Sequence, residues 1–339
     1  MSEFEDVLVL RQVGKRYRSV KRRFGARNAD EPALRDVSLS VRSGELFGLV
    51  GESGCGKSTL GRAIVRLFRD WTGEILLDGQ NTREVGDISR KVQIVFQDPA
   101  GSLNPRKRIG WILEEPLRIH RIGTKAHRVE RVNRMLERVG LDSSYRNRFP
   151  HELSGGQRQR VSIGCALMLE PRLIVADEPV SALDVSVQAQ ILNLLRDLHA
   201  QMGLSLLFIS HNLDVVHHLC DRVAVMFQGE IVEMAQVETL YDAPAHPYTQ
   251  LLLAAVPRFG EGKEACASDA GRHGKLRAQQ DAPPADKAAP GKGCAFFDRC
   301  PHAHERCGRI HPDLVRMDGG VGGEHFVRCH LRTTSPETR

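Results

Sequence analysis

One short glycine-rich segment, residues 51–59 with the sequence GESGCGKST, constrains this chain more than any other feature. It matches the pattern G-x-x-x-x-G-K-[ST], in which backbone N–H groups of a curled loop cradle phosphates. Apolar residues 45–50 before it predict a strand, and the apolar spacing of residues 59–68 after it predicts a helix. Because the pattern binds phosphate between a strand and a helix N-terminus, this context favours a nucleotide site over a chance glycine turn.

Two side chains in this loop have predicted charge or metal roles. Lys57 is predicted to neutralise the β- and γ-phosphates of a nucleotide, and Ser58 to offer its hydroxyl to Mg²⁺. The rest of the loop is predicted to surround the phosphates, through Gly51, Glu52, Ser53, Gly54, Cys55, Gly56 and Thr59.

A pair of acids follows a second apolar strand. Residues 173–176 (LIVA) run into Asp177 and Glu178, which places both carboxylates at a carboxyl strand end, where ligands bind in such sheets. Asp177 is predicted to hold Mg²⁺ through its waters, and Glu178 to polarise a water for attack on the γ-phosphate. Alone, the pair could simply begin a turn. Together with the phosphate loop it indicates a nucleoside triphosphatase.

The remaining pattern predicts an α/β fold. Further strands are predicted at residues 7–13, 34–41, 73–77, 92–96, 204–210 and 222–227, and further helices at 109–140 and 157–170. Strands that alternate with helices predict a largely parallel sheet covered on both faces. A hydrophobic fraction of 41% and a charged fraction of 27% suit a soluble globular protein.

Composition and charge narrow the function classes. No apolar run approaches the roughly 20 residues that span a bilayer, and the acidic start lacks a secretory pattern, so a cytosolic chain is expected. Aromatic residues, at 5%, are too few for a platform that stacks single-stranded nucleic acid. The net charge is +6, with basic residues crowded at positions 16–27. That stretch could contact nucleic acid or anionic lipid, although a solvated loop is the simpler interpretation.

The segment Leu153-Ser154-Gly155-Gly156-Gln157 identifies a particular class of triphosphatase. It resembles the signature motif of the ABC ATPase family. Physically it is a second phosphate-binding helix start, with Ser154 and the glycine N–H groups able to contact a γ-phosphate. One chain cannot easily fold this site onto its own phosphate loop. The resemblance therefore implies a head-to-tail dimer with ATP held in the interface.

Other motifs of that family occur in order. Gln97 resembles the Q-loop glutamine that senses Mg²⁺ and the membrane domain, and His211 resembles the switch histidine that contacts the γ-phosphate. Residues 181–184 (SALD), which include Asp184, resemble the D-loop that crosses the dimer, and Tyr17 is placed like the aromatic that stacks on adenine. The resemblance implies a P-loop NTPase fold with a RecA-like core, an antiparallel β subdomain and a helical signature subdomain at about 98–165, within an ATPase domain at 1–256.

Residues 177–192 and 246–252 resemble a narrower group, the ATP-binding subunits of oligopeptide and dipeptide importers, and are closer to the second of their two ATPases. That implies a heterodimeric ATPase, two membrane subunits and an extracytoplasmic binding protein, with this chain peripheral at the cytoplasmic face of the inner membrane and no nucleic-acid partner. Nickel, metallophore and glutathione importers share these sequence motifs, so the motifs do not determine the cargo. Residues 109–141 are expected to receive helices of the membrane subunits.

The C-terminal part has a different composition. Residues 257–293, rich in Ala, Asp, Lys, Pro and Gly, predict a flexible linker, and residues 294–339 form a tail with Cys294, Cys300, Cys307 and Cys329. Four thiolates suit zinc or an iron–sulfur cluster, although the spacing is not that of a typical zinc ribbon. The tail resembles the cysteine-bearing tail of peptide-importer ATPases, which implies a 4Fe–4S site. Free, reduced cysteines are the remaining alternative, and Cys55, Cys165, Cys220 and Cys266 are expected to be inert.

Two function classes stay open from the sequence. The first is an ATPase that energises solute import. The second is a soluble ABC ATPase acting on nucleic acid or ribosomes, although such proteins generally carry two cassettes or a long coiled-coil insertion. A third hypothesis, a stand-alone metal-sensing module, is weaker than these two because it rests only on the tail.

Overall fold

The computed structural model describes residues 5–17, 32–255, 293–317 and 324–332. The predicted linker, apart from Gly293, lies outside these residues, as do Cys266 and most of the basic stretch at positions 16–27.

Twelve strands form two sheets in the described residues. In chain order they are β1 (Asp6–Lys15), β2 (Leu34–Arg42), β3 (Leu46–Val50), β4 (Thr72–Leu77), β5 (Gln80–Asn81), β6 (Val92–Val95), β7 (Leu173–Asp177), β8 (Ser205–Ser210), β9 (Arg222–Phe227), β10 (Glu230–Gln236), β11 (Val315–Arg316) and β12 (Phe326–Val327). The helices are α1 (Lys57–Ile64), α2 (Pro99–Ser102), α3 (Ile109–Ile119), α4 (Lys125–Arg138), α5 (Gly155–Leu167), α6 (Val185–Met202), α7 (Leu213–Leu219), α8 (Val237–Asp242) and α9 (Pro247–Ala254), followed by a short helix at Glu305–Arg309.

The larger sheet carries the site. Its strand order is β11-β12-β10-β9-β3-β8-β7-β6, and the strands from β9 to β6 run parallel. Every residue of β3, β7 and β8 is buried, as expected where helices cover both faces of a parallel sheet. Since β8 lies between β3 and β7, the phosphate loop and the acid pair leave the same edge of the sheet two strands apart.

The smaller sheet is antiparallel, as predicted, with the order β2-β1-β4-β5. Leu8 of β1 is paired with Val41 on one side and Leu77 on the other. Its buried apolar side chains join one cluster with Phe47 of β3 and Leu60 of α1. The small sheet thus braces the first turns after the phosphate loop.

The prediction of one continuous helix at 109–140 is wrong. The segment forms α3 and α4, separated by a turn in which Gly123 has a φ of +67°. A glycine adopts this left-handed backbone without the steric cost that a Cβ would bring. Both helices pack on α5, and Met135 and Leu113 would lie 3.3 and 3.4 Å from a Cβ added at Gly164. These helices form the helical region that the family resemblance implies.

The C-terminal tail is docked on the larger sheet. Val327 of β12 pairs with Glu233 of β10 and with Val315 of β11. Neither β10 nor this docking was predicted from the sequence. The two acids in β10 give its sequence the pattern of an exposed segment. In the structure Glu230 and Glu233 are buried, and His311 and His325 of the tail bond them at 2.8 Å.

Candidate nucleotide site

The phosphate loop follows β3 and continues directly into α1, where the sequence placed it. Gly51 and Gly56 have φ values of +153° and +113°. A Cβ would lie 2.1 Å from the carbonyl oxygen of Met226 at Gly51, and 2.5 Å from that of Ala33 at Gly56. Both positions therefore require glycine for conformation and for space.

Lys57 is folded back onto its own loop. Its Nζ donates to the carbonyl oxygens of Gly51 at 2.7 Å and Glu52 at 2.9 Å, and the residue is 4% exposed. Cys55 lies beside it with its Sγ 3.7 Å from Nζ, and burial raises the pKa of that thiol. Burial disfavours the reactive thiolate form of Cys55, and the expectation that this residue is inert stays a prediction.

Ser58 and Asp177 meet across the sheet edge. Ser58 Oγ donates to Asp177 Oδ1 at 2.8 Å, and Asp177 is 3% exposed. Burial raises the pKa of Asp177; the bond from Ser58 opposes that rise, and the charge of Glu178 adds to it. The charges of Arg62 and Lys57 also lower this pKa, less than burial raises it. A buried carboxylate beside a hydroxyl offers the oxygen ligands that a hard divalent cation such as Mg²⁺ prefers.

Two predicted catalytic side chains, Gln97 and His211, converge on one carboxylate oxygen of a third, Glu178. Gln97 Nε2 donates to Glu178 Oε2 at 3.3 Å, and His211 Nδ1 lies 3.1 Å from the same oxygen. Glu178 has a left-handed φ of +49°, and its N–H donates to the carbonyl of Ile209 at 3.0 Å. The strained turn aims the carboxylate of Glu178 away from the strand and toward the ends of β6 and β8.

Tyr17 lies beside the first turn of α1. Its hydroxyl is 3.5 Å from Thr59 Oγ1, its ring meets Phe68 edge-on at 6.3 Å, and it is 54% exposed. An exposed aromatic face beside the start of α1 is available for stacking on a base.

The signature residues form a separate group. Ser154 caps α5, with its Oγ accepting from Gln157 N–H at 3.3 Å while Gln157 Oε1 accepts from Ser154 N–H at 3.0 Å. Among the described residues, no hydrogen bond joins 154–157 to the phosphate loop of the same chain. Both motifs are thus built, but they are not brought together within one chain.

The D-loop residues pack beside the signature. A Cβ added at Gly155 would be 3.4 Å from Leu183, and one added at Gly156 would be 2.5 Å from Val187. Asp184 begins α6 without a side-chain cap bond, and the next residue, Val185, is 82% exposed.

Two residues that contact the phosphate loop were not predicted from the sequence to do so. Arg299 of the tail bonds both carboxylate oxygens of Glu52, and the Tyr248 hydroxyl accepts from the Glu52 N–H at 3.0 Å. The available signal was Glu52 itself, an acid inside an anion-binding loop that needs a cation nearby.

The four tail cysteines occupy one neighbourhood. The charges of Cys300, Cys307 and Cys329 all act on Cys294, although burial is the larger reason that its pKa rises to about 11. Within the described ranges, no three Cys, His, Asp or Glu side chains are grouped so as to hold a metal ion. The arrangement therefore does not support the expected 4Fe–4S site.

Two family models match the chain. Residues 34–181 match the ABC transporter family, and residues 232–307 match the C-terminal region of oligopeptide/dipeptide transporters. In the part of the chain that the structure describes, no helix is both long and apolar enough to cross a membrane.

Curated relatives match nearly the whole length. An oligopeptide transport ATP-binding protein, AppF of Bacillus subtilis, is 44% identical over 96% of this chain and 98% of its own. A putative peptide import ATP-binding protein of Brucella ovis is 46% identical over 92% and 96%, and a dipeptide transport ATP-binding protein, DppF of Haemophilus influenzae, is 44% identical over 93% and 95%. These relatives do not favour the alternative of an ATPase acting on nucleic acid or ribosomes.

Solved structures agree on the cassette. The dimeric structure of MJ0796, described as a bacterial ABC transporter cassette, has a TM-score of 0.60 at 30% identity and covers 68% of this chain and 98% of its own. A dimeric post-hydrolysis state of the same cassette with ADP and Pi has a TM-score of 0.59 at 30% identity, again over 68% and 98%. The chain thus belongs to the ATP-hydrolysing subunits of ABC transporters, in the group that carries the oligopeptide/dipeptide transporter C-terminal region.

Proposed function

We propose that this chain powers the uptake of oligopeptides, dipeptides or a related solute by hydrolysing ATP at the group formed by its phosphate loop, Asp177 and Glu178. The convergence of Gln97 and His211 on Glu178 is the observation that carries this proposal. A carboxylate held by two polar side chains at the edge of a phosphate loop has the setting of a general base.

The chain's own residues supply the chemistry as follows. Lys57 exchanges its bonds to loop carbonyls for the β- and γ-phosphates of ATP. Ser58 and Asp177 hold Mg²⁺, which when bound offsets the negative charge that develops on the transferred phosphoryl group. Backbone N–H groups of the loop orient the phosphates, and Tyr17 stacks on the base.

Glu178 orients and deprotonates the attacking water. Within the described residues, the contacts of Gln97 and His211 both go to Oε2, which leaves Oε1 to accept a proton from water. His211 is half exposed and contacts the γ-phosphate once ATP is bound. Gln97 leads from this site into the helical region, so its position reports the nucleotide to the membrane subunits.

The site is completed by a second subunit. Ser154, Gly155, Gly156 and Gln157 are preformed but make no bond to their own phosphate loop in the described structure. They therefore contact the γ-phosphate held by a partner, with Asp184 and the exposed Val185 at the crossing. The dimeric solved cassettes of similar fold support this arrangement.

The names of the relatives specify oligopeptide, peptide and dipeptide transport, which supports a peptide cargo for this chain. The remaining partners are those that the family resemblance implies: a second, non-identical ATPase, two membrane-spanning subunits and an extracytoplasmic binding protein. The ATPase domain at 1–256 works from the cytoplasmic face of the inner membrane, as a peripheral subunit. No nucleic acid takes part.

The cysteine tail enters no step of this mechanism. A 4Fe–4S cluster stays a prediction from the resemblance, since the described thiols do not form a metal-holding group. Iron and acid-labile sulfide in anaerobically purified protein would support the cluster, and their absence would favour reduced, free cysteines.

The test is to identify what co-purifies with the tagged chain from solubilised membranes, and then to measure ATP-driven peptide uptake by that assembly in vesicles. Two multi-spanning subunits and a second ABC ATPase are expected, with uptake abolished by Lys57→Ala although the same partners are recovered. Recovery of ribosomes or DNA-associated proteins instead would leave the ATPase standing and overturn the import role.

A further inference from the structure

The tail reaches the phosphate loop through a paired, two-pronged contact. Arg299 Nη1 donates to Glu52 Oε2 at 2.9 Å and Nη2 donates to Oε1 at 2.8 Å, across a sequence separation of 247 residues. Such fork-to-fork pairing fixes orientation as well as charge. Its members are half exposed, at 51% and 43%, so geometry rather than burial must account for any effect.

Two aromatic rings pack against the guanidinium of Arg299. It lies 5.6 Å from the ring centroid of Phe227 and 5.7 Å from that of Phe296. Phe296 is 1% exposed and stands edge-on to Phe227. Because these rings are part of the core, Arg299 presents a fixed cation to the loop, unlike a free surface arginine.

A second contact fixes the backbone of the same loop residue. The Glu52 N–H donates to the hydroxyl of Tyr248, which is fully buried and packed against Phe227 and Phe296. The Glu52 carbonyl accepts from Lys57. Glu52 is thereby held at its N–H, its carbonyl and its carboxylate, and two of these three contacts come from residues beyond β10.

The charge of Glu52 would work against the loop if it stood alone. A carboxylate in a loop built to bind phosphates repels the anion, and the field of Lys57 would be divided between the two. Arg299 offsets that charge, and its hydrogen bonds are the main reason that the pKa of Glu52 is lowered. Glu52 thus stays ionised as an anchor, but its charge is directed to Arg299.

We propose that Arg299, with Tyr248 behind it, is a positioning residue of the phosphate loop, so that ATP affinity in the N-terminal cassette depends on the C-terminal tail through Glu52. The proposal rests on the assignment of the phosphate loop as the ATP site. It goes beyond that assignment by making the tail a part of the site.

The experiment measures ATP affinity and turnover of the full chain in its assembled complex for wild type and for Arg299→Ala, Arg299→Lys, Glu52→Gln and the double variant Glu52→Gln/Arg299→Ala. We expect Arg299→Ala to raise the Kd and KM for ATP about three- to tenfold with kcat changed much less, and Arg299→Lys to fall in between. In the Glu52→Gln background, Arg299→Ala should change the Kd less than about twofold, because the partner is already gone. Arg309→Ala, which breaks only an exposed pair with Glu305, is the matched control and should bind ATP like wild type.

Unchanged ATP affinity in Arg299→Ala overturns the proposal, and so does an equal loss in both backgrounds. If Arg299→Ala fails to fold, the ATP affinities of Arg299→Lys and Glu52→Gln are used in its place. Wild-type ATP affinity in both of these variants would also overturn the proposal. A wild-type chain that binds no ATP would instead refute the proposed function, so the two failures are distinguishable.

Discussion

Ser58 Oγ donates a 2.8 Å hydrogen bond to Oδ1 of Asp177, and this bond joins two motifs that are 119 residues apart. It holds together the hydroxyl and the carboxylate assigned to Mg²⁺. The carboxylate is nearly fully buried, and burial raises its pKa above the ordinary value of 3.8. Without a cation, the ionised carboxylate therefore lowers the free energy of unfolding, and a bound cation would offset that loss.

Asp177→Asn should raise the melting temperature of the nucleotide-free chain at neutral pH and weaken its binding of MgATP. Because the pKa of Asp177 is raised in the folded chain, the folded chain holds the carboxyl proton more tightly than the unfolded chain does. The wild type therefore loses stability as pH rises from 3.8 through the higher pKa of the folded chain. The gap between variant and wild type should therefore close as pH falls toward 3.8. Thermal melts across pH check this, and a variant that melts lower at neutral pH would contradict it.

Glu178→Gln should keep ATP affinity near wild type and lower turnover about 10²- to 10⁴-fold, since it removes the proposed base but little volume. ATPase rates of the assembled complex and ATP titration of the chain separate the two effects. Glu130→Gln, which alters an exposed pair with Arg134, is the control. Wild-type turnover in Glu178→Gln would rule out its role as the base.

Lys57→Ala should abolish ATP binding, because the phosphates lose their main counter-charge. The readout is ligand-induced stabilisation, which for wild type at 100 times its Kd amounts to about 2.7 kcal/mol and should vanish in the variant. Lys91→Ala removes a pair with Asp78 away from the loop and should keep the full stabilisation. An ATP-dependent shift that survives in Lys57→Ala would refute the assignment.

Ser154→Ala should leave ATP affinity of the isolated chain unchanged while lowering the ATPase rate of the complex, since its proposed phosphate belongs to the partner. Loss of the cap should also cost about 1 kcal/mol of stability. Thr124→Ala removes a similar cap, from α4, and controls for that cost. Equal ATPase losses in both variants would show that only helix stability is involved.

Glu233→Ala should destabilise the chain by about 3–5 kcal/mol and release the tail to protease. The buried carboxylate accepts from the N–H groups of Ala245 and His246 and bonds His325 at 2.8 Å, so its loss leaves three buried polar groups without it. Urea denaturation and limited proteolysis measure the effect. Glu324→Ala, at an exposed pair with Arg42, should cost less than about 1 kcal/mol. A loss as small in Glu233→Ala would contradict the assigned role.

The phosphate loop and the acid pair of the proposed catalytic group could be located from the sequence, because each is a short contiguous stretch. Loop 51–59 and the pair at 177–178 each carry their residue types at fixed spacing between recognisable elements. The parallel core was predictable for the same reason, since its strands are apolar throughout. The roles of Gln97 and His211 were predicted only from the family resemblance, because a lone glutamine or histidine has no local pattern. Their contacts with Glu178 were not predicted.

Other features depend on partners far away in the chain. The break between α3 and α4 was missed because apolar spacing continues across Gly123, although Gly123 followed by the cap residue Thr124 is a signal for a helix end and a new helix start. Strand β10 was missed because Glu230 and Glu233 resemble surface residues until His311 and His325 are in place. Likewise, Arg299 has no visible role until the fold brings it to Glu52.

The addition of β12 to β10 also sets an order of events during synthesis. Glu233 and His325, its tail partner, are separated by 92 residues, which a ribosome needs roughly 5 to 18 s to add. During that interval the edge of β10 that later pairs with β12 has no strand beside it. Until Arg299 is added, Glu52 also lacks its bonds to that residue. A nascent cassette that has already made all of its nucleotide motifs therefore still lacks the contact between its phosphate loop and Arg299, which can form only after residue 299 has emerged.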